Sequence, residues 1–229
     1  MKRQIVNSTM LDQLISLIAP YYCISCDKIG RPLCDNCNYD IEYDPLMQCP
    51  RCHGMLVNSH CLRCRNAFTQ LTTVAEYDGV LKRILHDYKY TPARGASAEI
   101  VSVMSRCLPY FPADSIVVPL VSSPDRVQAR GFDHTTLVAR QFAVARGYEY
   151  QNVLRRTKNI RQVGKTHAER LRQTKGLFAC TAQLDSSRTY IVIDDIVTTS
   201  ASLQAGAAAL RRAGARTIIA AAVAHQHWS

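Results

Sequence analysis

The stretch YIVIDDIVTTSAS, residues 190–202, combines residue types that rarely share one element. A short apolar run ends in two adjacent acids, Asp194 and Asp195, and five small residues follow, four of them hydroxylic. Acids are depleted in strands, and a run of Thr and Ser adds little to a hydrophobic core. The pattern is therefore typical of a binding site.

The chemistry open to these residues is recognition of a phosphorylated sugar. If the apolar run is a strand, Asp194 and Asp195 lie at its carboxyl end, where open α/β sheets bind ligands. Carboxylates there can accept hydrogen bonds from ribose hydroxyls or face Mg²⁺. A helix that begins after the hydroxyl run offers unpaired N–H groups to a 5′-phosphate. The alternative, a simple helix cap at Ser200 or Ser202 behind an exposed acid pair, explains only part of the run.

The rest of the chain supplies elements that would position this site. Strands are predicted in LTTVAEYDG, DSIVVPLVSS, TYIVIDDI and RTIIAAAVAH, and helices in VLKRILHDYKY, AEIVSVMSRCL, TTLVARQFAVARG and ASLQAGAAALRRAG. Strands that are apolar throughout and separated by helices are typical of a parallel sheet covered on both faces. We therefore predict an α/β domain over residues 69–229.

Eight of the ten cysteines form four CxxC pairs within residues 20–68. Two such pairs can complete a tetrahedral Cys₄ zinc site. Taken in order, they predict one structural zinc site of Cys23, Cys26, Cys34 and Cys37 and a second of Cys49, Cys52, Cys61 and Cys64. An interleaved pairing is the alternative. A disulfide framework is typical of secreted chains, and thioredoxin-like redox chemistry uses a single CxxC after a strand.

Charge and hydropathy bound the partners and the location. The formal net charge of the 229-residue chain is +10, which indicates an anionic partner: a nucleic acid, a phosphorylated small molecule or a membrane surface. Acids and bases balance in the Cys-rich module, so the excess lies in the rest of the chain. Residues 1–19 predict a short amphipathic helix rather than a signal peptide, and no apolar run has the length of a membrane span. We therefore predict a cytoplasmic protein with no membrane span.

The strongest concentration of positive charge lies in residues 125–175. Within it, RRTKNIRQVGKTHAERLRQTKG at 155–176 contains a single acid and predicts a mobile loop that leads into a short helix. Basic loops without apolar anchors commonly cover bound phosphates. The same charge suits a nucleic-acid backbone, although few aromatic residues accompany it as stacking platforms.

In order and spacing, these blocks closely resemble the ComF family, phosphoribosyltransferase-like proteins associated with natural competence, and more broadly the type I phosphoribosyltransferases. The resemblance is carried by the double zinc ribbon, YDGVLKRILHDYKY, VVPLVSSPDRVQARGFDHTTLVARQFA, RRTKNIRQVGKTHAERL and VIDDIVTTSASLQAGAAALRRAGA. It implies a type I phosphoribosyltransferase-like parallel sheet flanked by helices, with a small double zinc-ribbon module before it. It also implies a phosphoribosyl pyrophosphate site at the carboxyl edge of the sheet.

The resemblance assigns roles to particular residues. It implies that Asp194 and Asp195 are the catalytic pair that holds the ribose hydroxyls. Active relatives displace pyrophosphate at the anomeric carbon with the help of Mg²⁺. The expected 5′-phosphate cradle is Thr198, Thr199, Ser200, Ala201 and Ser202, and the residues expected near the pyrophosphate are Ser122, Ser123, Arg126 and Arg130.

Two departures from the family pattern bear on activity. The family loop TTGAT reads TTSAS here, and Ser200 adopts a positive φ or allows close backbone approach less easily than glycine. The family motif RGFNQ reads RGFDH here, so Asp133 adds negative charge to a region expected to meet anions. Both changes predict weaker catalysis without predicting a different fold.

Three functions are consistent with these patterns. The leading hypothesis is a ComF-type protein that binds phosphoribosyl pyrophosphate, or a related phosphosugar or nucleotide, and acts with single-stranded DNA and a competence helicase during DNA uptake. The first alternative is a metabolic phosphoribosyltransferase in nucleotide salvage. The second is a non-catalytic zinc-ribbon scaffold of the competence machinery.

Overall fold

The computed structural model describes residues 21–90, 96–157, 174 and 176–226. The helix predicted over residues 1–19 lies outside these ranges, as do residues 158–173 and 175 of the basic stretch. Within the described ranges, no helix combines the length and the apolarity needed to cross a bilayer.

The Cys-rich segment contains only short elements. They are helix α1 (Asp35–Tyr39) and the strands β1 (Leu56–Val57) and β2 (His60–Cys61), which pair antiparallel. Isolated bridges between Tyr22 and Ile29 and between Gln48 and Met55 close the two loops that carry the first CxxC pair of each cluster.

The rest of the chain alternates strands and helices. In order these are β3 (Gln70–Glu76), α2 (Gly79–Tyr90), α3 (Ala96–Cys107), β4 (Ile116–Pro119), α4 (Pro124–Arg130), α5 (His134–Arg146), β5 (Glu149–Tyr150), β6 (Leu154–Arg156), β7 (Phe178–Cys180), β8 (Thr189–Val197), α6 (Ala201–Arg212) and β9 (Thr217–His225). The main sheet has the order β3-β9-β8-β4-β5, and every pair in it is parallel. The predicted parallel sheet flanked by helices is confirmed. The antiparallel pair β6–β7, which the sequence analysis did not predict, forms a separate ribbon.

Both faces of the sheet are buried, as strands that are apolar throughout require. Ile191 and Ile193 of β8 pack in the cluster that contains α2, α3 and α5. Tyr190 and Val192 pack in the cluster that contains α6 and the β6–β7 ribbon. The central strands β8 and β9 are thus held from two sides, which fixes the position of the residues at their carboxyl ends.

The Cys-rich segment packs directly on this framework. Cys23 and Cys37 belong to the same hydrophobic cluster as α3, and Cys49 belongs to the cluster on the opposite face. Arg31 donates two hydrogen bonds to the carboxylate of Glu99 on α3, both of 2.9 Å. Residues on both sides of residue 68 therefore share the same hydrophobic clusters. The domain boundary that the sequence analysis placed at residue 68 stays a prediction.

Candidate ligand-binding cleft

A step in the sheet creates a cleft at its carboxyl edge. Strand β4 pairs with β8 only as far as Pro119 opposite Ile193, whereas β8 continues beside β9 as far as Val197 opposite His225. Asp194 and Asp195 lie inside β8, as in the predicted strand TYIVIDDI, and past the end of its pairing with β4. The chain after β4 diverges there and opens a crevice at the carboxyl edge, where open α/β sheets bind ligands.

The cleft has a volume of about 440 Å³ and is mostly polar in its lining. Four cations, Lys89, Arg126, Arg130 and Arg156, face two acids, Asp194 and Asp195. The other lining residues are Tyr77, Leu120, Val121, Ser122, Thr135, Phe178, Ile196, Thr198, Ser202 and Gln226. An excess of cations in a concave site favours a ligand with more than one negative charge.

The two acids are ordered by their own backbone. The N–H of Asp195 donates to Oδ1 of Asp194 at 2.8 Å, and the N–H of Ile196 donates to Oδ1 of Asp195 at 2.7 Å. Each carboxylate keeps its other oxygen for a further partner. For Asp195 that partner is the ammonium of Lys89, which contacts Oδ2.

Burial and the Lys89 ion pair shift the pKa values of the two acids in opposite directions. Burial, together with the charge of Asp195, raises the pKa of Asp194 well above its ordinary value. Burial acts on Asp195 in the same direction, but the charge of Lys89 and its hydrogen bond outweigh it and lower the pKa of Asp195. The pKa values of two adjacent carboxyl groups move apart in this way when only one of the groups has a cationic partner.

Arg156 lies on the wall of the cleft formed by the β6–β7 ribbon. Its guanidinium carbon is 5.5 Å from the centre of the Phe178 ring, and among the described residues its buried Nε has no hydrogen-bond partner. Burial and the charge of Arg126 lower the pKa of Arg156. A half-buried guanidinium with donors to spare, beside a second one, is suited to bind an anion.

The turn between β8 and α6 contains a serine in a backbone conformation that costs free energy for any residue other than glycine. Ser200 has φ 56° and ψ 5°, the left-handed conformation for which glycine is favoured. It is the N-cap residue of α6 without making a side-chain cap bond, and its buried Oγ has no partner among the described residues. Ser200 therefore adopts the positive φ that the sequence analysis expected a serine to adopt less easily than glycine.

The RGFDH segment binds to the loop that follows β4. Gly131, at φ 79°, ends α4, and Asp133 caps α5 by accepting from the N–H of Thr136 at 3.1 Å. Asp133 also accepts from the N–H of Ser122 at 2.8 Å and from its hydroxyl at 3.2 Å. Asp133 thus occupies the donors of Ser122, one of the residues expected near the pyrophosphate.

His134, the residue after Asp133, is buried in the core and is almost entirely shielded from solvent. It is 2% exposed, stacks on Phe132 with ring centres 4.3 Å apart and has Nε2 2.6 Å from the carbonyl oxygen of Tyr88. Burial, followed by the charge of Arg130, lowers the pKa of His134, so the ring is neutral and Nε2–H is the donor. The hydroxyl of Tyr88 donates in return to the carbonyl of His134 at 3.0 Å.

The structure places most of the predicted ligand-binding residues around one cleft. Those that line it are Asp194, Asp195, Thr198, Ser202, Ser122, Arg126 and Arg130. The others do not line it and are buried: Ser123, Thr199, Ser200 and Ala201. Their backbone groups still shape the turns on either side.

The sequence analysis missed Lys89 and Arg156 as residues of the cleft. Both lie inside segments that were recognised, YDGVLKRILHDYKY and RRTKNIRQVGKTHAERL. Lys89 could have been found from helix periodicity, since it is four residues after the buried Leu85 and therefore near the inner face of α2. No local signal distinguishes Arg156 from the basic residues that follow it.

The eight paired cysteines form two clusters in sequential order, which removes the interleaved alternative. Within each cluster the Sγ atoms all lie within 4.8 Å of one another: Cys23, Cys26, Cys34 and Cys37 in the first, and Cys49, Cys52, Cys61 and Cys64 in the second. A tetrahedral site with Zn–S bonds of about 2.3 Å separates its sulfurs by about 3.8 Å. The observed distances of 3.7 Å between Cys26 and Cys34 and 3.5 Å between Cys52 and Cys61 fit that size. Each cluster could hold one metal ion.

One thiol in each cluster ionises readily. Burial opposes ionisation of Cys23, but backbone donors, among them the N–H of Cys34 at 3.4 Å, lower its pKa to about 6. The pKa of Cys61 is likewise lowered to about 7, against its burial, by backbone donors that include the N–H of Cys64 at 3.3 Å. A thiolate is the form that binds a metal, so each cluster has a first ligand at neutral pH.

Comparison with known proteins gives no relative from which a function could be transferred. Neither a protein-family model nor a curated protein matches this chain. A functional assignment therefore rests on the cleft, the cysteine clusters and the sequence resemblance.

Proposed function

We propose that the cleft binds phosphoribosyl pyrophosphate with Mg²⁺, and that the chain is a phosphoribosyltransferase-like protein of the ComF type. The observation that supports this most is the convergence of three features at the step between β4 and β8. They are the acid pair Asp194 and Asp195, the turn that leads into α6, and the two arginines Arg126 and Arg156 on the wall of the cleft. Each feature matches one part of the ligand.

The three features would divide the ligand between them. The carboxylates of Asp194 and Asp195 would accept from the ribose hydroxyls. The unpaired N–H groups at the start of α6, with the hydroxyls of Thr198 and Ser202, would hold the 5′-phosphate. Arg126 and Arg156 would hold the pyrophosphate and stabilise its charge as it leaves. The chemistry that Mg²⁺ supplies when bound is partial neutralisation of that leaving group.

Calorimetric titration of phosphoribosyl pyrophosphate with Mg²⁺ into the zinc-loaded protein tests this proposal. We expect saturable binding to the unmodified protein and none to the double variant Asp194→Asn/Asp195→Asn. The matched control is Asp114→Asn, which removes an acid from a loop at the opposite edge of the sheet, before β4. Absence of binding to a folded, metallated protein, or equal binding by the double variant, would refute the proposal.

We propose that both four-cysteine clusters hold structural Zn²⁺. Four thiolates at tetrahedral spacing, with no other ligand type, are a donor set that zinc favours. Elemental analysis of the purified protein should give two zinc ions per chain. A value near zero in protein that is folded and reduced would contradict this assignment.

A role in DNA uptake, with single-stranded DNA and a helicase as partners, is proposed from the sequence resemblance. Of the region 125–175 expected to contact DNA, residues 158–173 and 175 lie outside the described ranges. The salvage alternative predicts turnover with a purine or pyrimidine base. The scaffold alternative predicts that Asp194→Asn/Asp195→Asn leaves transformation intact in cells.

A further inference from the structure

Lys89 makes the closest charged contact in the cleft. Its ammonium touches Oδ2 of Asp195, and the two side chains are 13% and 28% exposed. Exposed ion pairs contribute little to stability because water and salt compete for both charges. A pair this well shielded retains more of its attraction, so Lys89 holds Asp195 in the absence of any ligand.

The backbone from which Lys89 extends is fixed independently of the cleft. Tyr88 and His134, both buried, exchange two hydrogen bonds, one to the carbonyl of Tyr88 and one to the carbonyl of His134. These bonds join the last turn of α2 to the first turn of α5, and Lys89 is the next residue after Tyr88. The backbone at Lys89 is therefore held in place, and this position allows its ammonium to reach Asp195.

The position that Lys89 occupies has a chemical consequence. Adjacent carboxylates repel each other, and oxygen ligands of this kind commonly recruit a hard divalent cation. On Asp195, one oxygen accepts from the N–H of Ile196 and the other contacts Lys89. A divalent ion that approached this carboxylate would have to displace the ammonium against the repulsion between two positive charges.

We propose that Lys89 is the resident counter-ion of the acid pair and excludes free divalent cations from Asp195 in the empty cleft. A metal ion then enters this site only in complex with a phosphorylated ligand, because the negative charge of the phosphates offsets the repulsion between the metal ion and Lys89. Lys89 acts here as a specificity-determining residue for ligand with metal over metal alone. The assignment concerns the same cleft as the proposed function, but it does not require that the ligand be phosphoribosyl pyrophosphate.

Titration of Mn²⁺ alone into the full-length, zinc-loaded protein, followed by electron paramagnetic resonance, tests this assignment. We expect Lys89→Met to bind one additional Mn²⁺, with at least about tenfold higher affinity than the unmodified protein, the Coulomb effect in water of one charge at contact distance. The gain should disappear in Lys89→Met/Asp195→Asn. Lys89→Gln provides a second neutral variant if Lys89→Met folds poorly.

Two further variants make the test specific for the charge at this position. Lys82→Met removes an exposed ammonium from the same helix and should bind Mn²⁺ as the unmodified protein does. Lys89→Arg keeps the counter-ion and should also behave as the unmodified protein. The assignment is overturned if the unmodified protein binds Mn²⁺ in the cleft as tightly as Lys89→Met, or if the gain survives Asp195→Asn. The Mn²⁺ titrations do not use phosphoribosyl pyrophosphate. A failure of this assignment is therefore distinguishable from a failure of the proposed function.

Discussion

Ser200 carries two energetic penalties at one position. Its left-handed backbone costs a residue with a side chain about 1 kcal/mol relative to glycine. Its buried hydroxyl, which has no partner among the described residues, adds roughly another 1 kcal/mol. The turn keeps its shape despite both, held by the burial of Thr199 and Ala201 on either side.

We therefore expect Ser200→Gly to stabilise the protein. Removing the strain and the unpaired hydroxyl outweighs the greater chain entropy of glycine, for a net gain of about 1 kcal/mol. For a chain of this size that gain is a rise of about 2–4 °C in Tm, measured by thermal unfolding. Ser200→Ala is the control: it removes only the hydroxyl and should gain less. A lower Tm for Ser200→Gly than for the unmodified protein would contradict this prediction, because the two penalties would then be smaller than the entropic cost of glycine.

Asp133 determines how strongly the loop after β4 can hold an anion. Asparagine at this position keeps the bond from Thr136 through Oδ1, but its amide group cannot accept from the N–H of Ser122. Asp133→Asn thus removes one negative charge and frees a backbone donor. We expect its affinity for inorganic pyrophosphate with Mg²⁺ to rise about fivefold in calorimetric titrations, the effect of roughly 1 kcal/mol.

Asp133→Ala isolates the contribution of the helix cap. Like Asp133→Asn it removes the charge and frees the donor, but it also loses the cap of α5, so it should lower the free energy of unfolding by about 1 kcal/mol. Unchanged or weaker pyrophosphate binding by Asp133→Asn, in protein that is as stable as the unmodified chain, would mean that Asp133 does not oppose anions in this cleft.

At the scale of elements, α3 joins the Cys-rich segment to the sheet. Glu99 on this helix is 3% exposed and receives both donors of the Arg31 fork, while Arg106 donates to the carbonyls of Asn38 and Ile41. Burial raises the pKa of Glu99, and Arg31 opposes that rise. A buried carboxylate held by one cation is costly to leave unpaired.

We expect Arg31→Ala to destabilise the protein in a pH-dependent manner. The loss at neutral pH should be about 2 kcal/mol, below the usual range for buried pairs because Arg31 is half exposed. Without Arg31 the pKa of Glu99 rises further, so the folded state holds its proton more tightly than the unfolded state does. The penalty is therefore full at pH above the folded pKa and diminishes as the pH falls.

Thermal unfolding of both proteins between about pH 5 and pH 8 measures this effect. The difference in Tm should be largest at the alkaline end and smallest at the acidic end. Asp35→Asn is the matched control, since Asp35 is an exposed second partner of Arg31 and should change Tm little at any pH. A difference that is constant with pH, or that grows as the pH falls, would contradict the assignment of Glu99.

The elements were more predictable from sequence than the contacts between them. Continuous apolar runs such as YIVI and TIIAAAV identify buried parallel strands by themselves, and Gly147 marks the end of α5 with φ 72°. The β6–β7 ribbon was missed because its strands have three residues each and pair across a long insertion. Lys89 and Arg156 were missed because they join the cleft from elements distant in sequence, which periodicity alone does not bring together.

At the scale of the whole molecule, each four-cysteine cluster packs into one of the two hydrophobic cores of the α/β part of the chain. Cys23 is fully buried in the cluster that contains α2 and α3, whereas Cys64 is only partly buried, at the edge of the other cluster. Loss of either site should lower the free energy of unfolding, because the free energy of metal binding contributes to folding. Loss of the first should also open the core behind α3.

We therefore expect Cys23→Ser to destabilise the protein more than Cys64→Ser. Each variant should bind one zinc fewer, and each should lose about 3 kcal/mol or more of unfolding free energy. Elemental analysis and thermal unfolding together measure both effects, and Cys107→Ser, outside the two clusters, is the control. Equal losses in Tm for the two cluster variants would indicate that the interior does not distinguish the sites.

The most direct test of the central claim is a crystal structure of the zinc-loaded protein with phosphoribosyl pyrophosphate and Mg²⁺. The expected result is a ligand in the step between β4 and β8, with its 5′-phosphate at the N–H groups that begin α6. Its ribose should lie against Asp194 and Asp195, and its pyrophosphate should lie between Arg126 and Arg156. A ligand bound elsewhere on the basic surface, or bound in the cleft with the phosphates reversed, would contradict the proposed function.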